Sequence, residues 1–125
     1  MGTVGRSFRG IGGRILVRLG RAGFLTTTGR RSGQPRRTSV GVIPRLDGSF
    51  LIGAGGEGRH WVANLRADPR CGLVYRGVSH RCRAAELTGP DRDAAAAEMR
   101  SAMGRFGEQA HFVEVFVLRQ DDEPG

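Results

Sequence analysis

Two short alternating segments joined by a two-residue turn constrain the fold of this chain more than any other feature. If Arg76-Gly77 is the turn, one face of the hairpin is mostly apolar and the other mostly polar, as a half-buried antiparallel hairpin requires. This register pairs Cys71 with Cys82 and places His80 on the apolar face, where we expect it to be packed. The cysteines would occupy a hydrogen-bonded pair, the wider pair type, so two buried thiols are favoured over a disulfide.

Further short strands surround this hairpin. Alternating apolar residues and turn signals predict strands over 23–28, 38–44, 49–53 and 111–118. Short helices are predicted over 60–67 and 90–103, and 119–125 reads as a polar tail. We therefore predict an α+β fold: one domain over 1–125 that forms a small antiparallel β-barrel with short helices at its edges.

The N-terminal segment 1–22 predicts an amphipathic helix. Phe8, Ile11, Ile15 and Leu19 recur at helical spacing, with arginines off that stripe. Packing on the domain is one interpretation, and contact with an anionic membrane surface is the alternative. The arginines also interrupt any signal-peptide core, and no apolar run reaches the ~20 residues of a membrane span. We expect a cytoplasmic protein, with membrane association left open.

The segment LTTTGRRSGQPR, residues 25–36, is the main candidate for chemistry. Glycines let an anion approach the main chain, whose consecutive N–H groups can form an anion-binding concavity. Arg30, Arg31 and Arg36 add forked, charge-assisted donors. A solvated basic turn is the alternative interpretation.

The charge of the whole chain also indicates an anionic partner. The net charge is +8, and all 20 basic residues are arginine. Such a bias also reflects a GC-rich genome, so each arginine need not be functional. Nucleic acid, membrane lipid and a phosphorylated or carboxylated small molecule all fit the charge. Nucleic-acid binding is disfavoured because no basic patch with interleaved aromatic residues and no helix-turn-helix pattern is present.

Two ordered blocks carry a resemblance to a known family. LTTTGRRSGQPR resembles the phosphate-binding signature of the deazaflavin (F420)-dependent nitroreductase and quinone reductase family, whose members are split β-barrels. Residues 61–69, WVANLRADP, resemble the family's W-x-x-N-L-x-A-x-P block. The resemblance covers roughly residues 23–83 and implies an oxidoreductase that transfers a hydride from reduced coenzyme F420 to a quinone, an activated alkene or a nitro compound.

The resemblance also implies a set of site residues. Phosphate and the start of the coenzyme's acidic tail would be held by Arg30, Arg31, Ser32, Gly33 and Arg36. The deazaflavin ring would lie along Gly53, Ala54, Gly55 and Gly56, beside a pocket shaped by Trp61 and Asn64. A small-molecule hydride acceptor is the implied partner, no metal is implied, and split barrels often form homodimers.

The chain departs from the family pattern at two places. The loop before Trp61 is shorter and lacks the usual lysine, which Arg59 would replace. The family's C-terminal tyrosines are also absent, which leaves His111 as the candidate proton donor, with a structural histidine as the alternative. A non-catalytic or cofactor-switched split barrel that binds flavin mononucleotide (FMN), haem or lipid is therefore the second hypothesis.

Overall fold

The computed structural model describes residues 22–55, 59–104 and 112–121. In this part of the chain, six antiparallel strands close into a barrel in the order β1-β2-β3-β6-β5-β4, and two helices lie against it. The elements are β1 Ala22–Thr28, β2 Pro35–Pro44, β3 Phe50–Ala54, α1 His60–Ala67, β4 Arg70–Tyr75, β5 Val78–Leu87, α2 Gly89–Ala102 and β6 Glu114–Gln120. The predicted antiparallel barrel with flanking helices is confirmed.

The hairpin of β4 and β5 has the predicted register, with Cys71 opposite Cys82. Arg76 and Gly77 both adopt positive φ, at 54° and 81°, and such turns match the twist of the flanking strands. Both cysteines are free and buried. Burial raises the pKa of Cys71 to about 12 and that of Cys82 to about 11, so these thiols stay protonated at neutral pH.

The core has two layers because β3 and β6 are buried on both faces. One layer fills the barrel, with Leu25, Ile52 and Leu73 among its members. The other lies outside the barrel wall, where Leu51 and Val117 pack under α2. The alanines of α2 face this second layer, and small side chains let a helix approach a sheet closely.

Several boundaries differ from the predicted ones. Strand β6 continues to Gln120, which pairs with Cys82, so residues 119–120 belong to the sheet and not to a frayed tail. Strand β2 begins at Pro35, three residues before the predicted start, because the ladder with β1 extends to the loop. The helix over 60–67 is confirmed. Of the predicted N-terminal helix over 1–22, residues 1–21 lie outside the described residues, and Ala22 begins β1 instead.

The two ends of the barrel are closed differently. Helix α1 covers one end, where Trp61 packs on Phe116 with ring centroids 5.6 Å apart. At the opposite end, the Phe50 ring lies 5.7 Å from Tyr75 and 5.0 Å from His80. His80 is half-buried, with its ring against Phe50 and its Nδ1 3.3 Å from Gln120 Oε1. No helix in the described ranges is both long and apolar enough to cross a membrane.

Candidate functional site

The loop between β1 and β2 is held tightly by its own backbone. Gly29 N–H donates to the Gln34 carbonyl, and Gly33 N–H donates to the Gly29 carbonyl, each at 2.8 Å. Gly33 has a φ of 73°, which favours glycine. A Cβ on Gly29 would lie 2.7 Å from Ser32 Oγ, so a side chain there would displace the loop. The two glycines therefore fix the path that presents the intervening arginines.

A buried amide ties this loop to α1. Asn64 is only 3% exposed, and its Oδ1 accepts hydrogen bonds from Arg30 N–H at 3.2 Å and from Arg30 Nη1 at 2.9 Å. Its Nδ2 donates to Thr27 Oγ1 at 3.1 Å, while Arg30 Nη1 also lies 3.4 Å from the His60 carbonyl. Asn64 thus fixes the backbone and the guanidinium of Arg30 together.

Between this loop, β2 and α1 lies an open cleft of about 480 Å³. Its described lining contains four arginines and no carboxylate. Since the cleft also contains hydroxyl groups and the Asn64 amide, it offers charged and neutral donors to an anion. The lining residues are Thr27, Gly29, Arg30, Arg31, Ser32, Arg36, Arg37, Thr38, His60, Trp61 and Asn64.

The guanidinium groups of the cleft are available to a ligand. Among the described residues, Arg31 and Arg36 make no ion pair with a carboxylate, and both are exposed. The guanidinium of Arg37 lies 4.2 Å from the centroid of the Phe24 ring. Stacking on an aromatic face orients a guanidinium without consuming its hydrogen-bond donors.

Arginines on the other side of α1 are arranged differently. Arg59 forms an ion pair with Glu114, whose side chain is only 12% exposed. Arg66 donates to both carboxylate oxygens of Glu86, at 2.9 and 2.7 Å, and lies 3.8 Å from Glu114. The hydrogen bond from Arg66 lowers the pKa of Glu86. These charges connect α1 to β5 and β6.

Six of the predicted site residues line the cleft together: Arg30, Arg31, Ser32, Arg36, Trp61 and Asn64. Gly33 instead lines a second hollow, on the other side of the loop. Arg59 is absent from the cleft lining and is paired with Glu114. Gly56 and His111 lie outside the described residues.

Residues 53–55, at the end of β3, differ from one another in their surroundings. A Cβ on Gly53 would lie 2.6 Å from the Phe112 ring, so this ring occupies the space that the missing side chain leaves. Ala54 is buried in the barrel core, whereas Gly55 is exposed. Gly53, Ala54 and Gly55 are not part of the cleft lining, and their contact with the ring stays a prediction.

Five residues of the cleft are absent from the predicted site: Thr27, Gly29, Arg37, Thr38 and His60. Thr27 is 2% exposed and forms the hydroxyl end of the Asn64 network. Thr38 and Arg37 also line the cleft, and both lie in β2, which begins at Pro35. The signal for Thr27 was available, since it follows Leu25 at the spacing of one strand face. No signal in the sequence placed Arg37 near Phe24, because that contact depends on the register between strands.

Known proteins with solved structures share this fold. An F420-H2 dependent reductase (FDR-A) is 21% identical, with 79% of this chain and 94% of that chain covered and a TM-score of 0.65. The haem storage protein HutZ from Vibrio cholerae is 12% identical, with 94% and 93% covered and a TM-score of 0.66. A structure described as a domain-swapped dimer is 22% identical, with 79% and 80% covered and a TM-score of 0.65. At these identities the likeness establishes the split-barrel fold.

The sequence comparison identifies the family. None of the curated proteins compared with this chain matches it. The sequence model of the F420H2-dependent quinone reductases, by contrast, matches residues 2–120, nearly the whole chain. This chain therefore belongs to the F420H2-dependent quinone reductase family, a family of oxidoreductases whose reducing cofactor is F420H2.

Proposed function

We propose that this protein uses reduced F420 to transfer a hydride to a quinone, an activated alkene or a nitro compound. One observation carries the proposal: a cleft of about 480 Å³ whose described lining has four arginines and no carboxylate. An uncompensated cluster of this kind is unfavourable without an anion, because like charges repel and nothing neutralises them. The family supplies a cofactor with the matching charge.

The residues present fit the charged part of this coenzyme. F420 carries one phosphate and an acidic oligoglutamate tail. Arg31 and Arg36 offer forked donors that no described carboxylate engages, and Ser32 adds a hydroxyl. Arg30 is already oriented by Asn64, so little side-chain freedom remains to be lost on binding.

The contribution of the protein is mainly orientation. When bound, the reduced coenzyme supplies the hydride from its central ring carbon. Arg30, Arg31 and Arg36 hold the anionic end in the cleft, and Trp61 forms the wall toward the barrel. Because α1 covers this end of the barrel, the protein can hold the two reacting groups face to face.

Two histidines are candidates for proton transfer to the reduced acceptor. His111 remains the predicted donor, and its substitution by glutamine tests that role. His60 lines the cleft at the start of α1 and is exposed, so a bound acceptor would reach it without rearrangement. Tyr75 packs against Phe50 at the opposite end of the barrel and is not proposed for this role.

Ring contacts by Gly53, Ala54, Gly55 and Gly56 form part of the proposal. The shortened loop brings Arg59 directly before α1, where Glu114 holds its guanidinium. We infer that Arg59 supplies the cationic contact to the ring that a lysine supplies elsewhere in the family. Replacement of Arg59 by lysine should preserve binding, and replacement by glutamine should weaken it.

Titration of the purified protein with oxidised F420, followed by coenzyme fluorescence, tests the proposal. The native protein should bind with micromolar affinity, and the Arg30→Ala/Arg31→Ala variant should lose at least a hundredfold, about 2.7 kcal/mol. The matched control is Arg76→Asn/Arg100→Ala, which removes the same charge outside the cleft. Equal affinity of the two double variants, or no binding at low salt, would overturn the proposal.

The second candidate is a cofactor-switched or non-catalytic barrel that binds FMN, haem or lipid. The observation in its favour is the shared fold with a haem storage protein. The absorption spectrum of the purified protein separates the candidates, since flavin gives a yellow band and haem a Soret band. No group of three metal-ligating side chains occurs among the described residues.

Association with other molecules completes the proposal. Homodimerisation is supported by the fold shared with a domain-swapped dimer, and sedimentation of the native chain tests it. Nucleic acid is not a proposed partner. We propose a cytoplasmic location, and flotation with anionic vesicles tests whether the basic N-terminal segment adds a contact with a membrane surface.

A further inference from the structure

Of the residues of β1, only Thr27 lines the cleft. We propose that Thr27 is a positioning residue, which acts through Asn64 to hold the guanidinium of Arg30 in the orientation that binds the phosphate of the coenzyme. The inference rests on the proposed function, because it takes that phosphate to be the ligand of Arg30. It adds a residue that acts on the anion site from the interior of the barrel.

The three consecutive threonines of β1 are not equivalent. Side chains alternate between the two faces of a strand, so Thr27 shares the inward face with Leu25, whereas Thr26 and Thr28 share the outward face. Thr27 is only 2% exposed, and its two neighbours are half-buried. The middle threonine is therefore the one whose hydroxyl meets the buried amide of Asn64.

A hydroxyl at this buried position has an energetic cost that a purely packed residue would not have. Valine has nearly the same shape as threonine, suits a strand equally well and has no polar group to desolvate. A buried hydroxyl is tolerated where it is hydrogen-bonded, and the Thr27 hydroxyl lies 3.1 Å from Asn64 Nδ2. The hydrogen bond to Asn64 is therefore what threonine contributes here and valine could not.

The sheet gives Thr27 a fixed position. Its backbone pairs with Arg36 of β2 on one side and with Cys71 of β4 on the other, so strands hold it from both directions. Arg30, by contrast, lies in the loop between β1 and β2. Thr27 is thus a rigid point from which the position of a loop residue can be set.

Two hydrogen-bonded steps connect Thr27 to Arg30. The Thr27 hydroxyl accepts from Asn64 Nδ2, and Asn64 Oδ1 accepts from the backbone N–H of Arg30 at 3.2 Å and from its Nη1 at 2.9 Å. The same Nη1 also lies 3.4 Å from the His60 carbonyl, which is a longer contact. The orientation of this guanidinium therefore depends mainly on where the amide of Asn64 lies.

Removal of the Thr27 hydroxyl would release that amide. Asn64 is 3% exposed, and in the described part of the chain its Nδ2 has no second acceptor. A buried donor without a partner is unfavourable, and rotation of the side chain is the simplest way for it to reach water. Such a rotation carries Oδ1 away from Arg30, whose guanidinium then has to be ordered by the ligand.

The test is a fluorescence titration of the purified chain with two probes: oxidised F420, and the fragment of F420 that has the deazaflavin ring and ribityl chain without phosphate. We expect Thr27→Val to bind F420 about fivefold more weakly, which is the cost of ordering one long side chain on binding. Its affinity for the fragment should equal that of the native protein, because Arg30 acts on the phosphate. Thr26→Val is the matched control, with the same change on the outward face, and should bind both probes as the native protein does.

Thr27→Ser separates positioning from packing. This variant keeps the hydroxyl and removes a methyl group from the barrel, so it should lower the melting temperature and keep the affinity for F420. A residue that acted only through packing would lose more affinity in the serine variant than in the valine variant.

The inference is overturned if Thr27→Val binds F420 as tightly as the native protein, if it loses affinity for both probes equally, or if Thr27→Ser loses as much affinity as Thr27→Val. Failure of the native protein to bind F420 would contradict the proposed function instead. Circular dichroism of each variant confirms that the barrel is intact.

Discussion

Arginines lie on both sides of α1, and the two groups differ in whether a carboxylate neutralises them. On the cleft side, Arg31 and Arg36 have no carboxylate partner among the described residues. On the other side, Arg59 and Arg66 are paired with Glu114 and Glu86. In a chain whose 20 basic residues are all arginine, residue type alone cannot mark a binding site. The absence of a neutralising neighbour marks it.

The difference separates binding from structural roles. A guanidinium that donates to a carboxylate through two nitrogens, as Arg66 does to Glu86, must lose a contact before it can bind a ligand, so Arg66 serves to connect elements of the fold. An unpaired guanidinium keeps its donors for a ligand. The comparison therefore predicts that substitutions on the cleft side change affinity, whereas substitutions of Arg66, Glu86 and Glu114 change mainly the free energy of unfolding. Arg59 pairs with Glu114 through one nitrogen and is the paired arginine that we propose also contacts the cofactor.

The largest effect is expected where the two roles meet, at Asn64. Asn64→Leu leaves Arg30 N–H and the Thr27 hydroxyl without their buried partner, which should lower the free energy of unfolding by about 3 kcal/mol. Affinity for F420 should fall as well, because Arg30 is no longer held. Urea unfolding and fluorescence titration measure the two effects.

Asn64→Asp separates the effect of the hydrogen bond with Arg30 from that of the hydrogen bond with Thr27. The carboxylate can still accept from Arg30, but it cannot donate to Thr27, and it adds a negative charge to the cleft. We expect a smaller loss of stability than in Asn64→Leu and a comparable loss of affinity. If both substitutions leave affinity unchanged, Asn64 is only a structural residue and the assignment of Arg30 to the cofactor site is wrong.

The next effect distinguishes two single arginines on opposite sides of α1. Arg36→Gln should weaken F420 binding about tenfold, which corresponds to about 1.4 kcal/mol, and leave the melting temperature nearly unchanged. Arg66→Gln removes the same charge from the paired side and should change affinity by less than about twofold. Equal losses of affinity would show that net charge alone, and not position, attracts the coenzyme.

Most of the barrel could be predicted from the sequence, because its turns and helix ends depend on residues that are neighbours along the chain. The alternation around Arg76-Gly77 fixed the register of Cys71 and Cys82, because a two-residue turn leaves little choice of pairing. The helix over 60–67 followed from the residue before Pro69. From the sequence, Arg119 and Gln120 read as a polar tail, because nothing in their composition shows that β5 provides a partner for them.

The site was predictable only where it is continuous in sequence. The loop of residues 29–36 could be recognised because its glycines and arginines are adjacent. The environment of Gly53 could not be recognised in this way, since the Phe112 ring that reaches it comes from a distant part of the sequence. The ion pair of Arg59 with Glu114 joins residues 55 positions apart, and charge patterning does not reveal such distant partners.

A smaller effect is expected from Glu114 on the paired side. Glu114→Gln removes the carboxylate that holds Arg59 and lies near Arg66, and its side chain is mostly buried. We expect a loss of about 1 kcal/mol in the free energy of unfolding, measured in urea. F420 affinity should change much less than in Arg36→Gln. A loss of affinity without a loss of stability would instead assign Glu114 to the binding site.

The smallest effect is a pH dependence on the paired side. Because the hydrogen bond from Arg66 lowers the pKa of Glu86 from 4.5, folding favours the ionised carboxylate. Its contribution is complete above pH 4.5 and is lost as the pH falls through the lowered pKa. The pair is partly exposed, so the contribution should be a few tenths of a kcal/mol. Glu86→Gln should remove this part of the slope below about pH 4.5 in thermal unfolding. Arg36→Gln should leave the slope unchanged, and an equal change in both variants would contradict the separation of paired and unpaired arginines.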